Sequence, residues 1–491
     1  MRIFSYLKRR CGPPSFLLWC LIGCANGFCQ ASVPPATDAV QPAAAGPLNQ
    51  AMSHVEIAPD DVAPPPKPLF DPRDFGAKGD GVTYDTVALQ KAIDACAGTG
   101  GSVYLKNGTF LSAHLTLKGS MTFYVEKGAV LLGGTRPEDY PVELPNGAPD
   151  KSICRSLLYA ASADHLALDG GGVIDGHGQQ VKMDGKEPSR PSILRIFFSD
   201  GVAVRHLTLS NPRMWTQIYI DCKNVTIDHE TVNSPPHYCP NLDGMDIYDC
   251  RDVAIHDCRV NSDDDSICLK SCDAHGLHNI TVENNLIRNT GANAIKIGTA
   301  SVGPISGIHI LNNTVLSAAL GGLCIESVDG SAISDFTVRG LDLYRTSQPI
   351  FIRLAHRSHQ PGSITGVTIE DVRAVSTSSH GAPSCTITGI PGARIGSVLI
   401  KDCYFEMPGG VNSIPKAPAE RVAVYPQSNL LGMVPGYAFY VRHADGVLLD
   451  RVSVGRDKPD VRPWLALEDA RVQTKDCVDL EQIKPTKPPA E

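Results

Sequence analysis

The sequence predicts an all-β protein, a single-stranded, right-handed parallel β-helix closed at its N-terminal end by a capping helix. Two apolar residues separated by one position, with a third apolar residue five positions on, recur along the chain. The series runs Val225/Ile227/Val232, Val253/Ile255/Val260, Ile280/Val282/Ile287, Ile308/Ile310/Val315, Phe336/Val338/Leu343, Val367/Ile369/Ala374, Val398/Ile400/Phe405 and Val447/Leu449/Val454. First members are spaced by 28, 27, 28, 28, 31, 31 and 49 residues. Short period-two segments repeating at this interval bury their apolar side only by stacking coil on coil, which defines a solenoid. A composition with 45 glycines and 6% aromatics suits β-coils joined by tight turns.

The elements follow in order. Residues 1–31 read as an export signal: Arg2, Lys8, Arg9 and Arg10 precede an apolar stretch at 16–22, too short to span a bilayer. Cleavage after the small residue of Cys29-Gln30-Ala31 predicts a secreted or periplasmic protein. The alternative, Leu21-Ile22-Gly23-Cys24, reads as a lipobox that would lipid-anchor Cys24 to a bacterial membrane. Residues 32–68, rich in Pro and Ala without a hydrophobic period, form a linker. The β-helix domain is assigned to 69–476 and a C-terminal tail to 477–491. A helix is expected over about 86–97, with Asp85 capping its start and Gly98 its end.

Net charge is −8, and no Lys/Arg run occurs after the first ten residues, which argues against nucleic acid or an anionic membrane surface as partner. Of 16 cysteines, four lie in the export segment. Cys222 and Cys250 hold equivalent places in successive repeats, as do Cys258 and Cys403, so they read as buried thiols filling inward turns. One or two disulfides elsewhere stay open. Neither a cofactor nor a metal is expected, and a capped solenoid is expected to be a monomer.

A second strand per coil begins at Met245, Ile267, Ile295, Leu323 and Ile350. Alternation puts Asp246, Cys268, Lys296, Cys324 and Phe351 in one outward row, and Tyr248, Lys270, Gly298, Glu326 and Arg353 in the next. Just before these strands, Asp243, Asp265 and Asn293 share a row, with Asp264 one position earlier. Coils stack about 4.8 Å apart, so three carboxylates crowd one patch and cannot all ionise cheaply. One then keeps its proton well above an ordinary Asp pKa of about 3.9, and an ionised neighbour can activate water. Candidate substrate contacts are Asn241, His237, Asn293, Lys296, Lys270 and Arg353, with Trp215 and Tyr248 as stacking surfaces. Long loops at 178–191 and 407–436 could wall a cleft; closed ends favour attack at a chain end, and open ends favour attack within it.

Ile174-Asp175-Gly176-His177-Gly178, Asn211-Pro212-x-Met214-Trp215, Pro240-Asn241-Leu242-Asp243-Gly244 and Asp264-Asp265-Ser266-Ile267 occur in this order. On these motifs the chain from about residue 70 to 454 resembles glycoside hydrolase family 28, the polygalacturonase family of pectin-degrading β-helix enzymes. The resemblance implies inverting hydrolysis of an α-glycosidic bond in a pectic polysaccharide. Asp264 would be the general acid, and Asp243 and Asp265 the pair that activates water. Two departures stand out. Ala292-Asn293-Ala294 replaces the family's Gly-His-Gly, and Cys324-Ile325-Glu326 aligns with the Arg-Ile-Lys that holds a galacturonate carboxylate. Lys296, Lys270 and Arg353 are the cations that could rebuild that contact. The alternatives are a rhamnogalacturonan-type hydrolase of the same family, a Ca²⁺-dependent polysaccharide lyase, and a non-catalytic sugar-binding β-helix.

Overall fold

The computed structural model describes residues 62–148, 153–181, 190–357, 360–377 and 384–483. The export segment and most of the linker lie outside the described residues. All named strands pair in parallel, in a right-handed parallel β-helix. The repeat read from the sequence is its register: Val225 pairs with Val253, Val253 with Ile280, Ile280 with Ile308, and Ile308 with Phe336. Phe336 then pairs with Val367, Val367 with Val398, and Val398 with Val447. All eight are buried. Each such side chain removed from water stabilises the stack by about 1.5–3 kcal/mol. A one-residue slip would turn the whole set outward.

At the turn that follows the first strand of each coil, one residue takes the left-handed conformation and redirects the chain. In the central coils it is Asp257, Asn284, Asn312, Gly340, Asp371 and Asp402, with φ between 51° and 66°. Gly, Asn and Asp adopt that region at least cost, which explains why β-branched residues stop at this point in every repeat. The next position points inward. There Asn285 donates to Ile255 O and to Asn313 Oδ1, both at 3.0 Å, so the asparagines satisfy turn backbone that stacking would otherwise bury unpaired. Cys258 fills the equivalent site one coil earlier, and its backbone N–H donates to Asn285 Oδ1. Among the described residues the inward-turn cysteines Cys222, Cys250, Cys258 and Cys403 are free thiols.

Thr86–Cys96 is helical and lays Ala88, Leu89, Ala92, Ile93 and Cys96 on the end of the stack. Asp85 differs from expectation. Its carboxylate makes no helix cap and instead accepts from Lys78 N at 2.6 Å and Gly79 N at 2.9 Å, because the Gly-rich turn before it presents two N–H groups. At the other end the coil runs beyond residue 476: Val478–Gln482 is a strand paired to Ser453–Lys458. The interval of 49 residues between the last two repeats contains a long loop, at 410–438, that leaves the stack and returns. Among the described residues no helix is long and apolar enough to cross a membrane.

Inside the coil, Glu230 is wholly buried, and burial pushes its pKa up to about 8 despite a hydrogen bond from Gln217 Nε2 at 2.8 Å. A carboxyl whose folded pKa is raised favours the fold below its unfolded value, near 4.5, and that contribution is lost as pH rises through about 8. Glu230→Gln should therefore show a smaller loss of thermal stability than the parent between pH 5 and 8.5, read from paired melting curves.

Candidate active site

The acidic cluster forms where two coils meet at the start of the outward strands. Gly244 N donates to Asp265 O at 3.0 Å, Thr216 N to Asp243 O at 2.8 Å, and Ser266 N to Asn293 O at 2.9 Å. Gly244 is required for this closeness: a Cβ there would lie 2.4 Å from Ser266 O and 2.7 Å from Val260 Cγ1. The carboxylate oxygens of Asp243, Asp264 and Asp265 come within 4.8 Å of one another. Asp243 and Asp265 are buried and Asp264 is partly exposed.

The three acids have different environments. Asp265 is buried, which disfavours its charge, but Lys296 Nζ stands 3.1 Å from Oδ2 and Asn293 Nδ2 donates to Oδ1 at 2.7 Å. These contacts win and hold its pKa below the usual value. For Asp264, burial and the neighbouring Asp265 charge raise the pKa to about 7. Asp243 is pushed well up by burial and then by Asp264 and Asp246, and its Oδ1 has no hydrogen-bond partner. Asp243 and Asp264 thus hold protons as a coupled pair beside an ionised Asp265.

Of the predicted substrate contacts, the structure brings Asn293 and Lys296 onto Asp265, as above. Asn293 Oδ1 also accepts from Gly321 N at 2.9 Å and Cys324 Sγ at 3.3 Å. Lys270 is spent on Asp246, at 2.7 Å, and lies 4.2 Å from the ring centroid of Trp215, which stacks on Tyr248. Asn241 sits at the rim, accepting from Arg190 Nη2 at 2.8 Å, and the exposed His237 contacts Asp263 at 3.1 Å.

Arg353 is a correction. Its guanidinium donates to Thr388 Oγ1, to Gly389 O and to Glu420 O, the last at 2.6 Å, so the long loop covers it and it does not reach the acid cluster. Nor does it form a ladder with Glu326, whose Oε2 accepts from Thr299 Oγ1 and whose pKa burial raises to about 7.

Two residues were missed. Asp246 lies in the outward row three residues after Asp243, and its signal was Lys270, two positions beyond its register partner Cys268 and within reach of an ion pair. Tyr425, whose hydroxyl accepts from Lys296 Nζ at 2.9 Å, comes from the long loop, and no periodicity signals it.

Clustered, unequally protonated carboxylates on the face of a parallel β-helix are the arrangement an acid/base hydrolase needs. The model of the family "Glycosyl hydrolases family 28" matches residues 106–409, and the chain belongs to that family; it is a glycoside hydrolase. A second model, described as rhamnogalacturonase A/epimerase, pectate lyase-like, matches residues 70–124. A probable polygalacturonase of Vitis vinifera is 25% identical over 352 residues, covering 65% of this chain and 72% of that protein. A polygalacturonase of Chamaecyparis obtusa is 26% identical over 361 residues, covering 68% and 67%. Among solved structures, the Yersinia enterocolitica family 28 exopolygalacturonase superposes with a TM-score of 0.61 at 20% identity, covering 86% of this chain and 80% of that one.

Removing the Asn293 amide should release the restraint on Asp265. Losing a hydrogen bond to a buried charge costs about 1.5–3 kcal/mol, equivalent to roughly one to two pKa units. In Asn293→Ala the acidic limb of the kcat/KM profile should move up by that amount; an unmoved limb would show that Asp265 does not titrate in catalysis.

Proposed function

We propose that the protein is a polygalacturonase-like enzyme that hydrolyses α-glycosidic bonds of pectic polysaccharide. The observation that carries this reading is the division of labour inside one cluster: a partly exposed Asp264 that keeps its proton, beside an Asp265 held ionised. Asp264 gives its proton to the leaving glycosidic oxygen as the C–O bond breaks toward that oxygen. Water attacks the anomeric carbon and passes a proton to Asp265. Asp243, more deeply buried and holding its own proton, positions the water against Asp265, which is the ionised member of the pair and so the one able to accept the proton.

Two carboxylates that share a water through hydrogen bonds of about 2.7–2.8 Å each fit oxygens within 4.8 Å of one another. This reading assigns inversion to the reaction, although two-carboxylate inverting sites ordinarily separate their groups by about 6.5–9.5 Å; here a third carboxylate joins them. Proton NMR of the first product decides it: a β-anomer formed first supports inversion, and an α-anomer overturns it.

The cluster's charge is already balanced by the Lys296 and Lys270 ammonium groups, which suits proton transfer better than a Ca²⁺-dependent elimination. Saturated products that persist in chelator are therefore expected; unsaturated, ultraviolet-absorbing products would favour a lyase. A rhamnogalacturonan backbone is the second reading, favoured by Cys324 and Glu326, which offer no cation to a uronate carboxylate. Parallel assays on polygalacturonate and rhamnogalacturonan separate the two. We also assign residues 1–31 to export and 32–68 to a linker, so that a monomeric enzyme acts outside the cytoplasm, either free or anchored through Cys24.

Asp264→Asn should fold normally and lower kcat by about 10²–10⁴, the usual worth of a general acid; an active variant would sink the assignment. With the acid required in its protonated form, parental kcat/KM should fall as pH rises through about 7, and fall again on the acid side only once Asp265 is protonated, below the ordinary Asp value.

A further inference from the structure

We infer that the acid cluster lies in a blind pocket that admits the end of a glycan chain, so the enzyme releases sugar from a terminus instead of cutting within the polymer. The inference rests on the hydrolase reading above and adds the mode of attack. It starts from an anomaly of burial. The outward row of strand residues is in register from Tyr159 and Arg195 through Ile218, Asp246 and Cys268 to Lys296, and on through Cys324 and Phe351 to Tyr440. Side chains that point away from the core of a solenoid should meet solvent, yet every one of these is buried. Something roofs the face on both sides of the acids.

On the N-terminal side the roof is formed by the stretch at 141–148, which carries Glu143, and by Ile153. Arg195 holds it down: its guanidinium Nη1 donates to Glu143 O at 3.0 Å and Ile153 O at 2.6 Å, and Ile153 packs into an apolar cluster with Tyr159, Ile218 and Tyr248. Burial lowers the Arg195 pKa to about 10, which marks how completely the segment encloses it.

On the C-terminal side the roof is the loop at 410–438. Arg353 binds Glu420 O and Arg442 binds Pro418 O, each at 2.6 Å, while Leu431 and Val434 pack on Tyr440. The same loop reaches the acids. Ser428 lies against Gly321, beside Asn293, where a Cβ on the glycine would approach Ser428 Cβ to 3.3 Å. Tyr425 binds Lys296, one coil past Cys268, and its ring also receives the Arg357 guanidinium at 5.2 Å from the centroid.

Between the roofs the side chains of Asp246 and Cys268 are themselves buried, and partial exposure returns only in the turns before those strands, at Asp264 and Trp215, so the opening is confined to that short stretch of the stack. Each coil adds only about 4.8 Å. A polymer lying along the stack would have to pass through one roof or the other, whereas a chain end needs no exit.

The full-length protein is tested on polygalacturonate and rhamnogalacturonan, with products resolved by mass at early conversion and solution viscosity followed in parallel. A single small product of fixed size from the outset, with viscosity almost unchanged as reducing ends accumulate, is the expected result. A ladder of oligomers with an early fall in viscosity, from an active enzyme, overturns the blind pocket and leaves the hydrolase reading standing. No product from either polymer overturns the hydrolase reading and the inference with it. Tyr425→Ala lowers the wall beside Lys296 without touching the three aspartates, and should raise the share of dimers and trimers severalfold; an unchanged product pattern would show that the loop does not limit the pocket.

Discussion

Register is the constraint on which the rest of this molecule depends. Parallel strands stacked about 4.8 Å apart fix which side chains of successive coils become neighbours, and the buried Val, Ile and Phe columns fix the register itself. Asp243 and Asp265 are brought together by that column and not by any affinity for one another; two carboxylates in a dry pocket repel. The repulsion is tolerated because Lys270 and Lys296 arrive by the same register, from the strands of the same and the following coil, and because protons remain on the acids that the lysines do not reach.

The electrostatic asymmetry then follows from who touches whom. Asp265 has an ammonium group and an amide on its two oxygens, so it bears the charge. Asp264 receives one backbone N–H, from Asp265 at 2.9 Å, and Asp243 has an oxygen with no partner. Asn293 can take the place of the family's histidine because its task here is to donate to Asp265 Oδ1 while accepting from Gly321 and Cys324, which an amide does without changing charge. The replacement of Arg-Ile-Lys by Cys324-Ile325-Glu326 fits the same picture. A guanidinium at Cys324 would lie beside Asn293 and compete with Lys296 for Asp265.

The columns were legible because stacking makes period and spacing visible: the eight apolar triplets and the outward row from Asp246 to Phe351 are found in register, while in the second row Tyr248 pairs with Lys270 and Glu326 with Arg353, and the ladder stops short of Gly298 between them. What the sequence could not show is what lies across those rows. Arg353 was placed in its row correctly, but nothing in its spacing reveals that Glu420 covers it. Tyr425 sits in a Pro-rich loop with no period, and reaches Lys296 across 129 positions. Asp85 looked like a cap because a local rule favours it, and the turn carrying Lys78 and Gly79 competed more effectively for its oxygens. Local pattern specifies the scaffold, whereas loop docking is decided by long-range contacts that leave no periodic trace.

That distinction bears on what the β-helix contributes to specificity. The scaffold alone supplies an open, ladder-like face on which a polymer could lie at any register, and the same architecture carries unrelated tasks. Restriction comes from the two segments that leave the stack, and both are fastened by buried arginines whose guanidinium groups donate to loop carbonyls: Arg195 to Glu143 and Ile153, Arg353 and Arg442 to Glu420 and Pro418. An arginine can do this from a strand because its planar fork satisfies several carbonyls at once, where a lysine would present a single point charge. The outward rows thus perform two tasks with one geometry. Near the acids they supply the charges that tune proton transfer, and farther along the stack they supply the anchors that close the face around them.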